Sequence, residues 1–166
     1  MIALRPSKLL LPLCLPYYLV IAVRNFFFDK GITKTYQSKL PVISVGNVRV
    51  GGSGKTPIVM ELTRVLKGKG LKPVVLIRGY GAKVSIPTLV NEASLASEVG
   101  EEAIEHFRNS GVPVVVFPDR VAAAKKVETE NLGNLLILDD GFQHRKLRRD
   151  VDIVVVDSNL YSSSSR

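Results

Sequence analysis

Several residue types on which other protein classes depend are scarce in this chain. Cys14 is the single cysteine among 166 residues, which excludes a disulfide framework and a cysteine-based metal site. Tryptophan is missing and no known nucleic-acid motif occurs, so we expect no nucleic-acid partner. The longest stretch without a charge, residues 9–23, is shorter than the roughly 20 apolar residues of a spanning helix, and two prolines interrupt it.

The remaining composition fits one compact domain with a positive charge. A hydrophobic content of 46% and 23% charged residues are ordinary for a globular protein, and 166 residues suffice to bury a core. The formal net charge of +8 favours anionic partners such as nucleotides and acidic lipid headgroups. The sequence indicates no protein partner.

A glycine-rich segment, residues 44–57, is the most informative part of the sequence. It follows an apolar strand predicted over residues 41–45 and precedes a helix. In such loops the glycines let backbone N–H groups surround phosphate oxygens, a lysine reaches the β- and γ-phosphates, and a threonine hydroxyl binds Mg²⁺. Arg49 stands where the strict P-loop spacing has glycine, so the motif is a compressed variant, and a glycine-rich turn without a ligand is the alternative. We predict an ATP-binding loop made of Gly51, Gly52, Ser53, Gly54, Lys55 and Thr56.

Two carboxylates follow a second apolar run, residues 135–138. Asp139 and Asp140 would lie at the carboxyl end of a buried parallel strand, where ligands bind in open α/β sheets. Because P-loop enzymes hold Mg²⁺ with such an acid, directly or through water, we predict a magnesium site there together with Thr56. A simple strand-ending turn is the alternative.

The order of apolar runs and helical segments predicts an α/β fold. Strands and helices alternate, which implies a parallel sheet with right-handed crossovers, flanked by helices as in P-loop NTPases. Residues 80–96 are the least regular part and form either a hairpin or an active-site loop. The predicted strands are residues 41–45, 73–77, 112–117, 135–138 and 152–156, and the predicted helices are residues 56–69, 98–109 and 120–128.

Four sequence blocks together resemble a known family. Residues 44–57 resemble the signature of tetraacyldisaccharide 4′-kinase, the lipid A kinase of Gram-negative bacteria, and residues 78–81, 119–124 and 139–144 fit that family in the same order. The resemblance runs from about Pro12 to Asp157. It implies that the γ-phosphate of ATP is transferred, with Mg²⁺, to the 4′-hydroxyl of a tetraacyl glucosamine disaccharide 1-phosphate, a lipid A precursor.

The resemblance also implies roles for individual residues. Lys55 would neutralise charge on the β- and γ-phosphates, while Asp139 and Asp140 would hold Mg²⁺ with Thr56. An ordinary surface arginine at position 78 and a turn histidine at position 144 remain open alternatives, and Asp119 fits a helix cap better than a ligand. The implied substrate contacts are Asn47, Arg78, Arg120, Gln143 and His144.

One departure from the family concerns the catalytic base. The family usually has Gly-Asp-Glu-Pro, with its aspartate taken as the base, whereas this chain has Gly100-Glu101-Glu102-Ala103. Glu101 reaches further than aspartate by one C–C bond, about 1.5 Å. A misplacement of about 1 Å can cost on the order of 100-fold in rate. We predict Glu101 as the base; the alternative is an acidic first turn of a helix.

A second departure concerns length. Family members have a further C-terminal lobe that does not follow here, and residues 158–166 form a serine-rich tail that we expect to be flexible. We therefore expect residues 36–157 to be the P-loop kinase domain of a truncated or partial form.

The N-terminal residues 1–35 are predicted to associate with a membrane. Their apolar stretch suits a membrane-surface helix, with basic residues beside anionic headgroups; a helix packed on the domain core is the alternative. The lipid substrate implied by the resemblance favours the membrane, so we expect a peripheral protein on the cytoplasmic face of the bacterial inner membrane. The interfacial residues would be Tyr17, Tyr18, Leu19, Phe26, Phe27 and Phe28, and the basic ones Arg5, Lys8, Arg24 and Lys30.

Two alternatives to an active kinase remain. The first is a catalytically inactive, membrane-associated nucleotide-binding protein derived from the kinase, which the short C-terminus and Glu101 favour. The second is a partition-type ATPase, which also uses a compressed glycine-rich loop. That group usually has a lysine before the paired glycines, where this chain has Val50.

Overall fold

The computed structural model describes residues 19, 22, 23, 26, 30, 33–47 and 54–156. The chain divides into two compact units, Met1–Thr35 and Tyr36–Arg166. The predicted serine-rich tail and most of the predicted phosphate loop, including Gly51, Gly52 and Ser53, lie outside the described residues.

The larger unit is built around one mixed sheet. Its described elements are β1 (Val42–Asn47), α1 (Lys55–Gly68), β2 (Pro73–Ile77), β3 (Thr88–Leu89), α2 (Ala96–Val99), α3 (Glu101–Ser110), β4 (Val114–Val116), α4 (Arg120–Glu130), β5 (Leu135–Asp139) and β6 (Val151–Val155). The strand order is β3-β4-β2-β5-β1-β6. Every described pairing is parallel except that of β3 with β4.

Helices cover both faces of this sheet because successive strand residues point to opposite sides. On one side Val75 packs in a core with Val59 of α1 and Ala103 of α3. On the other side Val74 packs in a core with Ala124 of α4. All five residues of β2 are buried, which accounts for its continuous apolar sequence.

The predicted fold class is confirmed, and all five predicted strands are present with ends within one or two residues. Two regions differ in detail. The helix predicted over residues 98–109 is broken, because Gly100 lies between α2 and α3 at a φ of 92°. Residues 80–96 contain β3, which pairs antiparallel with β4 instead of forming a hairpin within that segment.

The register of the sheet brings the two sequence motifs to one edge. β1 and β5 are parallel neighbours, and Val45 pairs with Asp139. The carboxyl end of β1, from which the phosphate loop departs, is therefore level with the two aspartates that end β5.

The segment before β1 is fastened to α4 through one carboxylate. Glu128 accepts hydrogen bonds from the Tyr36 hydroxyl at 2.7 Å, the Ser38 hydroxyl at 2.6 Å and the Lys39 backbone N–H at 3.0 Å. Burial raises the pKa of Glu128, but these hydrogen bonds outweigh it and the net shift is downward. The anchor sets where β1 enters the sheet.

In the smaller unit, the described residues Leu19, Ala22, Val23 and Phe26 are helical and exposed. Their spacing places them along one side of a helix. Lys30 donates its backbone N–H to the Phe26 carbonyl at 2.9 Å, and its ammonium lies 5.8 Å from the Phe26 ring centre. Among the described residues, no helix has the length and hydropathy needed to cross a bilayer. The other aromatic and basic residues predicted for the membrane helix lie outside the described part.

Candidate active site

Lys55 connects the two motifs. It is the first residue of α1, directly after Gly54, which adopts a left-handed conformation with φ of 71°. Its Nζ donates to Asn47 Oδ1 at 3.1 Å, at the end of β1, and to Asp140 Oδ1 at 2.7 Å, just after β5. The Lys55 side chain is 21% exposed and that of Asp140 is 52% exposed. The lysine, the amide and one of the paired acids therefore form a single polar cluster at the carboxyl edge of the sheet.

The turn that carries the acids packs directly on β1. A Cβ atom at Gly46 would lie 2.7 Å from the Phe142 ring, and one at Gly141 would lie 2.3 Å from Ser44 Oγ, so a side chain at either position would force its neighbour to move. Arg149 holds the outer side, donating from one guanidinium nitrogen to the carbonyls of Gly141 and Phe142 at 3.2 Å each. These contacts fix the turn that follows Asp139 and Asp140 against the end of β1.

Asp139 lies in a different environment from Asp140. It is 2% exposed, and its Oδ2 accepts a hydrogen bond at 2.8 Å from Nε2 of His106 in α3. Within the part of the chain that the structure describes, the other oxygen, Oδ1, has no hydrogen-bond partner. A buried carboxylate oxygen without a donor is costly unless a cation or water satisfies it.

Arg120 reaches the same point from α4. It is 1% exposed, and it donates to the Asp139 carbonyl at 3.0 Å and to the Phe117 carbonyl at 3.3 Å. Burial lowers its pKa to about 10, even though the charges of Asp139 and Glu102 act to raise it. The guanidinium joins the ends of β4 and β5 from inside the protein. Its predicted contact with a substrate phosphate stays a prediction.

The two neighbouring glutamates at the start of α3 have different environments. Glu101, the predicted base, is exposed. Glu102 is partly buried, and burial followed by the charge of Asp139 raises its pKa. Gly100 lies against the turn after β2, since a Cβ there would be 3.3 Å from the Tyr80 carbonyl oxygen. Of the two carboxyl groups, that of Glu102 lies close to His106 and Asp139, whereas Glu101 is exposed to solvent.

The charge of Arg78 acts on His144, so these two residues lie close enough to interact. Burial, together with the charges of Arg120 and Arg78, lowers the pKa of His144 to about 4, while the charge of Asp140 opposes this shift. Arg78 is exposed and its guanidinium lies 5.7 Å from the Tyr80 ring centre. Gln143, the remaining predicted substrate contact, is exposed. Asp119 is a helix cap, as predicted: its Oδ1 accepts from the N–H groups of two following residues.

The donor set at this edge fits a divalent cation. Magnesium prefers carboxylate and hydroxyl oxygens, and Asp139 offers a buried oxygen that lacks a protein donor among the described residues. Ligand atoms of Glu102, His106 and Asp139 all lie within 4.8 Å of one another. Thr56 follows Lys55 in the first turn of α1.

Sequence reasoning missed three residues of this site: Glu102, His106 and Arg149. Glu102 was visible as half of an acidic pair, and the helical spacing of four to His106 would have placed the two on one side of α3. No local signal distinguishes His106 from a surface residue, because its partner Asp139 lies 33 positions along the chain.

Comparisons with known proteins point to one family. The family model for tetraacyldisaccharide-1-P 4′-kinase matches residues 6–165. A tetraacyldisaccharide 4′-kinase of Psychromonas ingrahamii is 46% identical over 150 residues, which cover 90% of this chain and 47% of the relative. One of Idiomarina loihiensis is 41% identical over 151 residues, covering 90% of this chain and 46% of the relative. The chain thus spans about half the length of the curated relatives it matches.

A solved structure shows the same fold. The crystal structure of LpxK from Aquifex aeolicus in complex with ATP superposes with a TM-score of 0.82 at 37% sequence identity, covering 92% of this chain and 50% of that one. The resemblance found in the four sequence blocks is confirmed, and the partition-type alternative gives way to it. The chain therefore belongs to the tetraacyldisaccharide-1-P 4′-kinase family.

Proposed function

We propose that this chain provides the ATP-binding domain of a lipid kinase, one that phosphorylates the 4′-hydroxyl of a tetraacyl glucosamine disaccharide 1-phosphate in lipid A biosynthesis. The observation that carries the proposal is the cluster at the carboxyl edge of the sheet. Lys55 there contacts Asp140 at 2.7 Å, and Asp139 lies beside it at the end of β5. Family membership supports the reaction, and the ATP complex of the relative supports the cofactor.

Phosphoryl transfer needs aligned oxygens and neutralised charge more than covalent chemistry from the protein. Lys55 would bind the β- and γ-phosphates, and the amino end of α1 adds roughly half a positive charge beside them. Thr56, Asp139 and Asp140 would hold Mg²⁺, which when bound neutralises charge on the transferring phosphate. The backbone of Gly51, Gly52, Ser53 and Gly54 would surround the phosphate oxygens.

We further propose that the sugar hydroxyl is bound beside the start of α3. Glu101 remains the proposed base, and its exposure leaves it accessible to a substrate. Glu102 faces the buried Asp139 instead, where it would support the metal site. Glu101→Gln should therefore lower kcat, because the base is lost while the charge-binding groups remain. An unchanged kcat would reject Glu101 as the catalytic base. The proposed substrate contacts are Asn47, Arg78, Arg120, Gln143 and His144.

The lipid substrate gives a reason for a membrane contact. The exposed side chains of Leu19, Val23 and Phe26 and the net charge of +8 support peripheral binding at the cytoplasmic face of the inner membrane. Co-sedimentation with vesicles tests this: we expect binding to anionic vesicles that Phe26→Ser weakens. Equal binding of both forms would contradict the proposed role of the apolar residues.

The direct test of the function is transfer of labelled γ-phosphate from ATP to the tetraacyl disaccharide 1-phosphate in detergent micelles. Lys55→Ala should lose about 100-fold or more in rate, as expected when one preorganised charge donor is removed. Lys69→Ala is the matched control, because Lys69 is an exposed lysine at the other end of α1. A folded chain that binds ATP but forms no product would reject the kinase and favour the inactive nucleotide-binding protein.

A further inference from the structure

The buried imidazole of His106 is the feature that the proposed function leaves unexplained. It lies in the second turn of α3 with 0% of its side chain exposed. Apart from Glu102, its neighbours on the inward side of the helix are apolar, since Ala103 is in the core and Ile104 and Phe107 pack against that core. An apolar residue would fill this position without the cost of burying a polar ring.

The contact that offsets this cost is with Asp139. Nε2 of His106 lies 2.8 Å from Oδ2, and because a carboxylate accepts hydrogen bonds, Nε2 carries the proton. Within the described residues, Nδ1 of His106 has no hydrogen-bond partner. Among the described residues, the imidazole therefore makes one hydrogen bond, to Oδ2 of Asp139.

Asp139 is consequently held at two points. Arg120 fixes its backbone carbonyl at 3.0 Å, and His106 fixes Oδ2 of its side chain. The oxygen left over is Oδ1, which has no partner in the described part of the chain. Rotation of the carboxylate would break the His106 bond, so this bond determines which oxygen remains available.

We propose that His106 is a positioning residue, which orients the Asp139 carboxylate so that Oδ1 is presented to the magnesium ion of bound nucleotide. This proposal rests on the proposed function, because it takes Asp139 as part of the magnesium site. Hydrogen bonds of this kind behind a metal-binding carboxylate hold it in the productive orientation, and their loss typically costs 10- to 100-fold in metal affinity.

The test compares two substitutions at the same site. His106→Leu removes the N–H donor, whereas His106→Gln keeps an N–H donor on a side chain of similar reach. Affinity for a fluorescent ATP analogue is measured in Mg²⁺ and in EDTA. We expect His106→Leu to lose about 10- to 100-fold of the Mg²⁺-dependent gain in affinity and to keep the affinity in EDTA. His106→Gln should recover most of the gain.

A structural control separates positioning from simple loss of packing. Ile104→Ala removes apolar contacts from the same helix without touching Asp139. If Ile104→Ala reduces the Mg²⁺-dependent gain as much as His106→Leu does, or if His106→Leu keeps the full gain, the proposal is overturned. The proposal is also overturned if His106→Leu does not fold and His106→Gln folds but lacks the Mg²⁺-dependent gain in affinity. Failure of the proposed function is visible separately, because wild-type chain would then bind no nucleotide in either buffer.

Discussion

Replacing Gly46 by alanine tests the contact between the two motifs. The added Cβ would lie 2.7, 2.8 and 2.9 Å from three ring carbons of Phe142, whereas ordinary contacts begin near 3.4 Å. The ring must therefore retreat by about 0.7 Å, since the Gly46 backbone is held between two neighbouring strands of the sheet. Arg149 resists this movement, because it donates to the Phe142 carbonyl and lies 6.0 Å from the ring centre.

Overpacking of this kind typically costs about 1–3 kcal/mol in the free energy of unfolding. Urea denaturation of Gly46→Ala should show a loss in that range. Gly68→Ala is the matched control, because a Cβ at Gly68, the last residue of α1, meets no atom within 4 Å. Alanine there should be neutral or stabilising by up to about 1 kcal/mol.

A double-mutant cycle identifies the cause. Phe142→Ala removes the ring, so the alanine at position 46 should cost little in that background, giving a coupling energy of about 1 kcal/mol or more. The reasoning is refuted if Gly46→Ala is as stable as wild type, or if the two substitutions are additive. Because Phe142 follows the Asp139-Asp140 turn, Gly46→Ala should also weaken ATP binding.

Two further predictions concern pH. The pKa of His144 is lowered to about 4, mainly by burial, so the folded chain binds fewer protons than the unfolded chain below about pH 6.5. Wild type should therefore lose stability as the pH falls from about 6.5 to 4, and His144→Asn should remove that loss. NMR titration of the chain's two histidines checks the pKa directly. The Glu128 anchor has a lowered pKa, so its contribution is full above about pH 4.5 and is lost as the pH falls further. Glu128→Ala should lower the free energy of unfolding by about 1–2 kcal/mol at pH 7. If urea denaturation shows the same stability as wild type, the anchoring role of Glu128 toward Tyr36 and Ser38 is contradicted.

Local sequence signals predicted most of the fold because they arise from local physics. Apolar runs of strand length and helices ended by glycine are visible without tertiary information. The meeting of Lys55 with Asp140 was also predictable, since adjacent parallel strands end at the same edge of a sheet.

Other features depended on contacts distant in sequence. Glu101 and Glu102 look equivalent in the sequence, and their different exposure follows from how α3 packs beside Asp139. Arg120 looks like a surface arginine at a helix start, but it is buried because backbone carbonyls at the ends of β4 and β5 satisfy its guanidinium. The role of His106 could not be predicted, because its partner Asp139 lies on another element.

The central claim is that Lys55 and the paired aspartates form one site for magnesium-bound nucleotide. Calorimetric titration of ATP into wild type, Lys55→Ala and Asp139→Asn, each with and without Mg²⁺, tests it most directly. We predict that Lys55→Ala loses affinity in both conditions, because the phosphates lose a charge partner, and that Asp139→Asn loses only the gain due to Mg²⁺. ATP binding to Lys55→Ala with wild-type affinity, or an unchanged Mg²⁺ dependence in Asp139→Asn, would contradict the account.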